Sequence, residues 1–360
     1  MNPVLSKLFI VVPPLEDPPP FVPPKISTRC QFLYPEGLPQ KRYKVCNLIG
    51  DGGTAFVLRV QTPKGEHAMK IHHPSKLCAE ISSREWEMIQ LLTGVRHVLP
   101  VEDDFTLSHL YSTDANGKFR IDPNDGEKMH SHAFIMPLLP CPNACEMFLK
   151  SGEVTDLTSD EIMHIARQGF ETLLDLKIRK IAHLDIKPEN IAYDRQTREF
   201  LIFDFGSAQR EPIEKGETLG TLSYWAPEQI LGLNFGLEVD VWAFGATLYE
   251  LYTGYPLVPV EKLKENPRQD KINYLHMLTQ NVGPTGLRIN GNCSEVQEPI
   301  VKYIRSIGER FPGRALWEAQ IRHAGEQKKE PLEQAEALIE FLRPMLRYVN
   351  RITPEEFFKK

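Results

Sequence analysis

The chain has 360 residues, 41% hydrophobic and 25% charged. That composition is ordinary for a globular protein, excludes collagen-like and coiled-coil architectures, and at roughly 150 residues per domain predicts two domains or lobes. Forty-two Lys and Arg against 48 Asp and Glu give a net charge of −6, which argues against direct nucleic-acid binding through phosphate neutralisation.

No apolar run approaches the ~20 residues of a membrane span, so no membrane association is expected. Six cysteines, none in a CxxC pair, are too few for a disulfide scaffold, and Cys141 and Cys145 lack zinc-ribbon spacing. Reduced thiols in the cytoplasm, the nucleus or both are expected.

Residues 1–40 read as a flexible Pro-rich leader. Lys7 interrupts the apolar patch Val4–Val12, and the chain then enters Pro13-Pro14, Pro18-Pro19-Pro20 and Pro23-Pro24. No small-residue cleavage site follows the patch, so it is not read as a signal peptide.

Order is expected from Arg42-Tyr43. Tyr43–Ile49, Val57–Val60 and Glu66–Ile71 read as strands, the last two joined by the turn Thr62-Pro63-Lys64-Gly65. Ile81, Trp86, Ile89 and Leu92 give residues 80–92 helical spacing. The polar stretch 108–131 predicts a long surface loop, and His132–Leu139 a strand. Beyond 159 helices dominate, starting with Asp160–Arg179, whose apolar face is Ile162, Ile165, Ala166, Phe170, Leu173 and Leu174. The fold class is therefore α+β: a small antiparallel β lobe with one helix over 41–138, and a larger, mainly helical lobe over 139–360.

The chemistry concentrates in His183-Leu184-Asp185-Ile186-Lys187-Pro188-Glu189-Asn190, followed by Asp204-Phe205-Gly206 and Ala226-Pro227-Glu228. At about 5% usage per residue type, His-x-Asp-x-Lys-x-x-Asn arises by chance in only about 0.2% of chains this long. With these motifs in this order, the sequence resembles the eukaryotic protein kinases from about residue 42 to its end. The resemblance implies a two-lobed kinase-like fold and ATP-dependent transfer of phosphate to protein hydroxyls, with Mg2+. Asp185 would orient or accept the proton of the hydroxyl, and Lys187 would neutralise charge near the γ-phosphate. Asn190 and Asp204 would offer magnesium hard oxygen ligands.

Gly50-Asp51-Gly52-Gly53-Thr54-Ala55-Phe56-Val57 resembles the family's nucleotide-covering loop, with Gly50, Gly52 and Val57 at the nucleotide. It lies between two strand patterns, where a Rossmann loop would open a helix. Ala55 stands where a third glycine is expected. Because alanine resists positive φ, a stiffer loop and weaker nucleotide binding are expected. Ala68-Met69-Lys70 resembles the strand carrying the phosphate-binding lysine. Its partner would be Glu85, with Glu80 and Glu87 as rivals. By the same resemblance Met136 is the gatekeeper. Pro137 would offer adenine its carbonyl and Leu139 its amide, since proline lacks only the donor; a one-residue slip in this register stays open.

Thr221 matches the threonine that Ser/Thr kinases place against the catalytic aspartate. Leu184 stands where the family usually has the arginine that meets an activation-loop phosphate, so activity independent of loop phosphorylation is expected. Ser207, Thr218 and Ser223 can be modified but read first as polar loop residues. Asp240 would brace the catalytic-loop backbone, and Arg351, with Arg314 as runner-up, would pair with Glu228.

The segment 257–345 is longer than a minimal kinase needs. Asp270–Leu278 followed by Gly283-Pro284 resembles the CMGC group. The approach Gly37 to Tyr43 is similar to the SR-protein and CLK-like kinases, which implies a basic or Arg/Ser-rich protein substrate. Phe357-Phe358-Lys359-Lys360 comes before the family's last helix would finish, implying an early end. A catalytically weak kinase-like scaffold, and a small-molecule phosphotransferase, remain the alternative readings.

Overall fold

The computed structural model describes residues 32–33, 35–38, 41–113, 119–121, 127–139, 141–150, 152–213, 220–230, 232, 234–259, 267–283, 316–348 and 351–359. These fall into two compact units, one within Pro13–Thr93 and Leu99–Pro140, the other comprising Gly94–Val98 and the chain from Cys141. Leader residues 1–31, Thr218, Pro284 and Arg314 lie outside the described residues.

The first unit is a seven-stranded sheet with one long helix. Its strands are β1 (Phe32–Leu33), β2 (Tyr43–Asp51), β3 (Ala55–Thr62), β4 (Gly65–His72), β5 (Asp103–Thr113), β6 (Phe119–Ile121) and β7 (Glu127–Pro137), in the order β1-β2-β3-β4-β7-β5-β6. All pairings are antiparallel. Alternation along β3 buries Phe56, Leu58 and Val60, which pack with Met69, Ile71, Leu107 and Ile135. The turn at Thr62–Gly65 closes the β3–β4 hairpin as its sequence predicts. Helix α1 spans Lys76–Leu91. It starts four residues before the expected point because Ser75 caps it, accepting from the Cys78 amide.

Two expectations for this unit are corrected. Residues 108–131 are not one long loop: β5 and β7 pair continuously to Tyr111↔Glu127, and β6 adds a further strand. The end of the leader is not loose either. Phe32 and Leu33 pair with β2, Leu33 is buried, and Glu36 donates its amide to Thr106 on β5.

The second unit is mainly helical. It contains α2 (Ala144–Phe148), α3 (Ser159–Ile178), α4 (Pro227–Ile230), α5 (Glu238–Thr253), α6 (Pro267–Val282), α7 (Leu316–Lys328), α8 (Leu332–Leu342) and α9 (Pro354–Phe357). Every residue of α5 from Val239 to Thr253 is buried, so this helix is the unit's core. A capping box at Thr158 and Glu161 starts α3. Its Phe170 stacks on Phe357 of α9 at 4.0 Å. Two short ribbons, β8 (Ile181–Ala182) with β11 (Gln209–Arg210) and β9 (Ile191–Asp194) with β10 (Glu199–Ile202), bracket the segments 183–190 and 203–208.

Candidate active site

In the helical unit, the loop after β8 is fixed from beneath. Buried Asp240, in the first turn of α5, accepts from the amides of His183 (2.6 Å) and Leu184 (2.9 Å). Burial raises the Asp240 pKa, while His183 and the two amides oppose the rise. His183 is fully buried. Its Nδ1 accepts from the Asp185 amide, so the ring carries its proton on Nε2 and donates it to the Phe203 carbonyl at 3.2 Å.

These bonds present Asp185 with both carboxylate oxygens engaged. Thr221 donates to Oδ1 at 2.8 Å, Lys187 lies 2.9 Å from Oδ2, and the Asn190 amide nitrogen donates to Oδ2 at 3.0 Å. Lys187 also donates to the Thr221 hydroxyl at 2.7 Å, closing a triangle. The Phe203 amide donates to the Asn190 carbonyl, which brings Asp204 beside the same loop. Asp204 sits at φ +65°, a left-handed conformation that a non-glycine residue adopts only under constraint. Phe205 supplies part of that constraint by packing on the His183 ring at 4.6 Å.

The sheet unit gathers the other expected residues. Val57 pairs with both Gly50 and Lys70, and Ala68 pairs with Met136. A Cβ on Gly50 would lie 3.3 Å from that of Val57, and one on Gly52 3.2 Å from the Ala55 carbonyl, so both glycines keep the hairpin tight. Lys70 meets Glu85 of α1 at 2.7 and 2.9 Å; Glu80 and Glu87 are exposed. Met136 and Pro137 end β7 and Leu139 follows, all three half-buried. Ala55 departs from expectation. It is an ordinary residue of β3, outside the positive-φ set and paired with His72, so its methyl adds no strain.

The protein kinase domain model matches residues 43–360. The chain belongs to the protein kinase domain family. Among curated proteins, it is 33% identical over 215 residues to a probable dual specificity protein kinase YAK1 homolog of Encephalitozoon cuniculi, covering 58% of this chain and 49% of the relative. It is 29% identical over 265 residues to human dual specificity protein kinase CLK1, covering 68% of this chain and 49% of that protein. Homeodomain-interacting protein kinase 1 of Caenorhabditis elegans matches at 35% over 144 residues, 39% of this chain and 16% of the relative. The alignments thus span half or less of these relatives, and the resemblance to the CMGC group holds.

Kinase domains in general use ATP with magnesium, and the donor set of this kinase domain fits that ion. Asn190 turns its amide nitrogen to Asp185, leaving its side-chain oxygen as the donor a cation can use. With the Asp204 carboxylate this makes a small all-oxygen set, as magnesium prefers when phosphates and water complete its shell. Among the described residues there is no group of three or more His, Cys, Asp or Glu that could hold a metal by itself. No described helix is long and apolar enough to cross a membrane.

Sequence reasoning missed an acidic cluster in this kinase domain. Glu250 of α5 accepts from the Tyr224 hydroxyl at 2.7 Å. Burial pushes its pKa up to about 7, and Glu189 adds to the rise while the Tyr224 bond opposes it. Cys145 is raised to about 11 by burial and by Glu189, Glu250 and Glu146. The available signal was Glu250 on the same helix as Asp240, inside an otherwise apolar run. Arg351 pairs with Glu228 through both carboxylate oxygens.

Proposed function

We propose that the chain is an ATP- and magnesium-dependent Ser/Thr protein kinase that works without activation-loop phosphorylation. The observation that carries this reading is the closed triangle of Asp185, Lys187 and Thr221. Its carboxylate is held in one orientation by a hydroxyl, an ammonium and an amide, an arrangement suited to positioning a nucleophile.

In the proposed reaction a substrate hydroxyl attacks the γ-phosphorus of ATP. The new O–P bond forms as the bond to the β–γ bridging oxygen breaks and ADP leaves. Asp185 orients the hydroxyl and takes its proton. Lys187 offsets negative charge on the transferred group. Lys70, held by Glu85, neutralises charge on the nucleotide's phosphates, and Gly50, Gly52 and Val57 form the strand turn that covers it. Ala68 and Met136 line the base, with the Pro137 carbonyl and Leu139 amide as its hydrogen-bond partners. Asn190 and Asp204 would hold magnesium, which would supply charge neutralisation for the phosphates.

Glu189, Glu250 and Glu146 gather around Cys145 and Tyr224, which supports a basic, Arg-containing protein substrate. The scaffold reading loses one of its two supports, because Ala55 is unstrained.

The test is transfer of labelled phosphate from Mg-ATP to a basic protein and to an Arg/Ser-rich peptide, with phosphoamino-acid analysis. Transfer to Ser and Thr that Asp185→Ala abolishes supports the proposal. Phosphotyrosine alongside would make it a dual-specificity enzyme. Nucleotide-dependent stabilisation without transfer would favour the scaffold; saturating ligand at about 100 times Kd adds about 2.7 kcal/mol.

A further inference from the structure

The ion pair of Lys70 and Glu85 has a third member. His72 lies two residues beyond Lys70 on β4, so both side chains leave the same face of the strand. Its Nε2 is 2.9 Å from Glu85 Oε2, and its Nδ1 is 3.3 Å from the His132 carbonyl on β7. The ring is 1% exposed, too dry for water to replace either bond. The Glu85 carboxylate only accepts, so in that bond the imidazole donates from Nε2.

A second bridge runs beside the first. His132 Nδ1 is 2.7 Å from the Ser82 hydroxyl, and its Nε2 lies 3.5 Å from Asp104 of β5. Ser82 and Glu85 are three apart on α1 and share a face. Trp86, on the next turn position, stacks on Phe134 and meets His132 edge-on. Burial lowers the His132 pKa, against the upward pull of Asp104.

We infer that His72 is a positioning residue for the phosphate-binding lysine: it pins the second oxygen of Glu85, and with His132 on Ser82 it docks α1 on the sheet before any nucleotide arrives. A carboxylate gripped by one flexible ammonium can swing about its terminal bonds. One that also meets a rigid ring fixed by its own strand cannot. The inference rests on the proposed kinase reading for its effect on turnover, but the docking of α1 can be measured without it.

The experiment compares the wild-type chain with His72→Leu and His72→Gln. The Gln side chain places an N–H near the position of the imidazole Nε2, whereas Leu fills the volume without a donor. Amide hydrogen exchange over 76–91, with no nucleotide, reads the docking. We expect α1 to exchange about tenfold faster in His72→Leu, and His72→Gln to recover most of the protection. Steady-state kinetics with Mg-ATP reads the consequence. His72→Leu should raise the KM for ATP and lower kcat/KM about tenfold with the protein-substrate KM little changed, and His72→Gln should recover most of that loss.

Equal exchange of α1 in wild type and His72→Leu overturns the inference, as does a His72→Gln variant as defective as His72→Leu. If the wild type shows no transfer, the kinase reading fails by itself, and the exchange comparison still decides the role of His72.

Discussion

Thr221 donates its hydroxyl to Asp185 Oδ1 at 2.8 Å while accepting from Lys187 at 2.7 Å. One hydroxyl therefore sets the distance between the proposed base and the proposed charge neutraliser. A hydrogen bond to a charged group contributes roughly 1.5–3 kcal/mol. Thr221→Val, which keeps the shape and drops the hydroxyl, should lower kcat about 10- to 100-fold with the KM for ATP nearly unchanged. Thr221→Ser should restore most of the rate. Steady-state kinetics on the two variants checks this, and a Ser variant no better than Val would count against the role.

Lys70 and Glu85 are both buried, with side chains 11% and 4% exposed. Removing Lys70 takes the paired charge from the buried Glu85 carboxylate, although His72 still bonds to it. Lys70→Met should therefore destabilise the protein by about 3–5 kcal/mol, and nucleotide should no longer raise its Tm. In Lys70→Met/Glu85→Leu the stranded charge is gone, so much of the stability should return while nucleotide binding does not. Thermal melts with and without Mg-ATP separate the two effects.

The parts of the site legible in the sequence are those whose chemistry is local. Asp185, Lys187 and Asn190 fall within six residues, and their spacing alone places them on one loop. Glu85 could be favoured over Glu87 because residues two apart on a helix face different ways. What escaped was set by pairing across the chain. The stretch 108–131 is too polar to read as strand, yet its backbone completes the β5–β7 ladder, and ladder bonds need no apolar side chain. Ser75 escaped because the first turn it caps, from Lys76, lies ahead of the apolar spacing that begins at Ile81. The role of His72 is invisible until β7 and α1 are folded against β4, although the sequence places it two residues from Lys70.

Glu250 provides a test by pH. Its folded pKa is raised from 4.5 to about 7, chiefly by burial. Between those values the folded state holds more protons than the unfolded state, so stability falls as pH rises through that window and levels off above it. The full effect is on the order of 3 kcal/mol. Glu250→Gln keeps the shape and an acceptor for Tyr224 but cannot ionise. Its stability should fall less than that of wild type between pH 5 and 8 in urea titrations. A cationic substrate side chain would favour the ionised form, so the same variant should bind an Arg-containing peptide more weakly.

Leu184 is 5% exposed and cannot pair with a phosphate, and its carbonyl lies where a Cβ on Gly220 would come within 2.0 Å. Gly220 also has φ +87°. The stretch Gly220-Thr221 is thus seated on the loop 183–190 by backbone contact, which only glycine permits. Phosphatase-treated protein should keep its turnover within about twofold. Gly220→Ala should cost about 1–3 kcal/mol of local strain and lower kcat by tenfold or more, because the segment that lifts off carries Thr221 with it. A collapse of turnover on phosphatase treatment, with Gly220→Ala still active, would place control of the segment in a phosphate rather than in this contact.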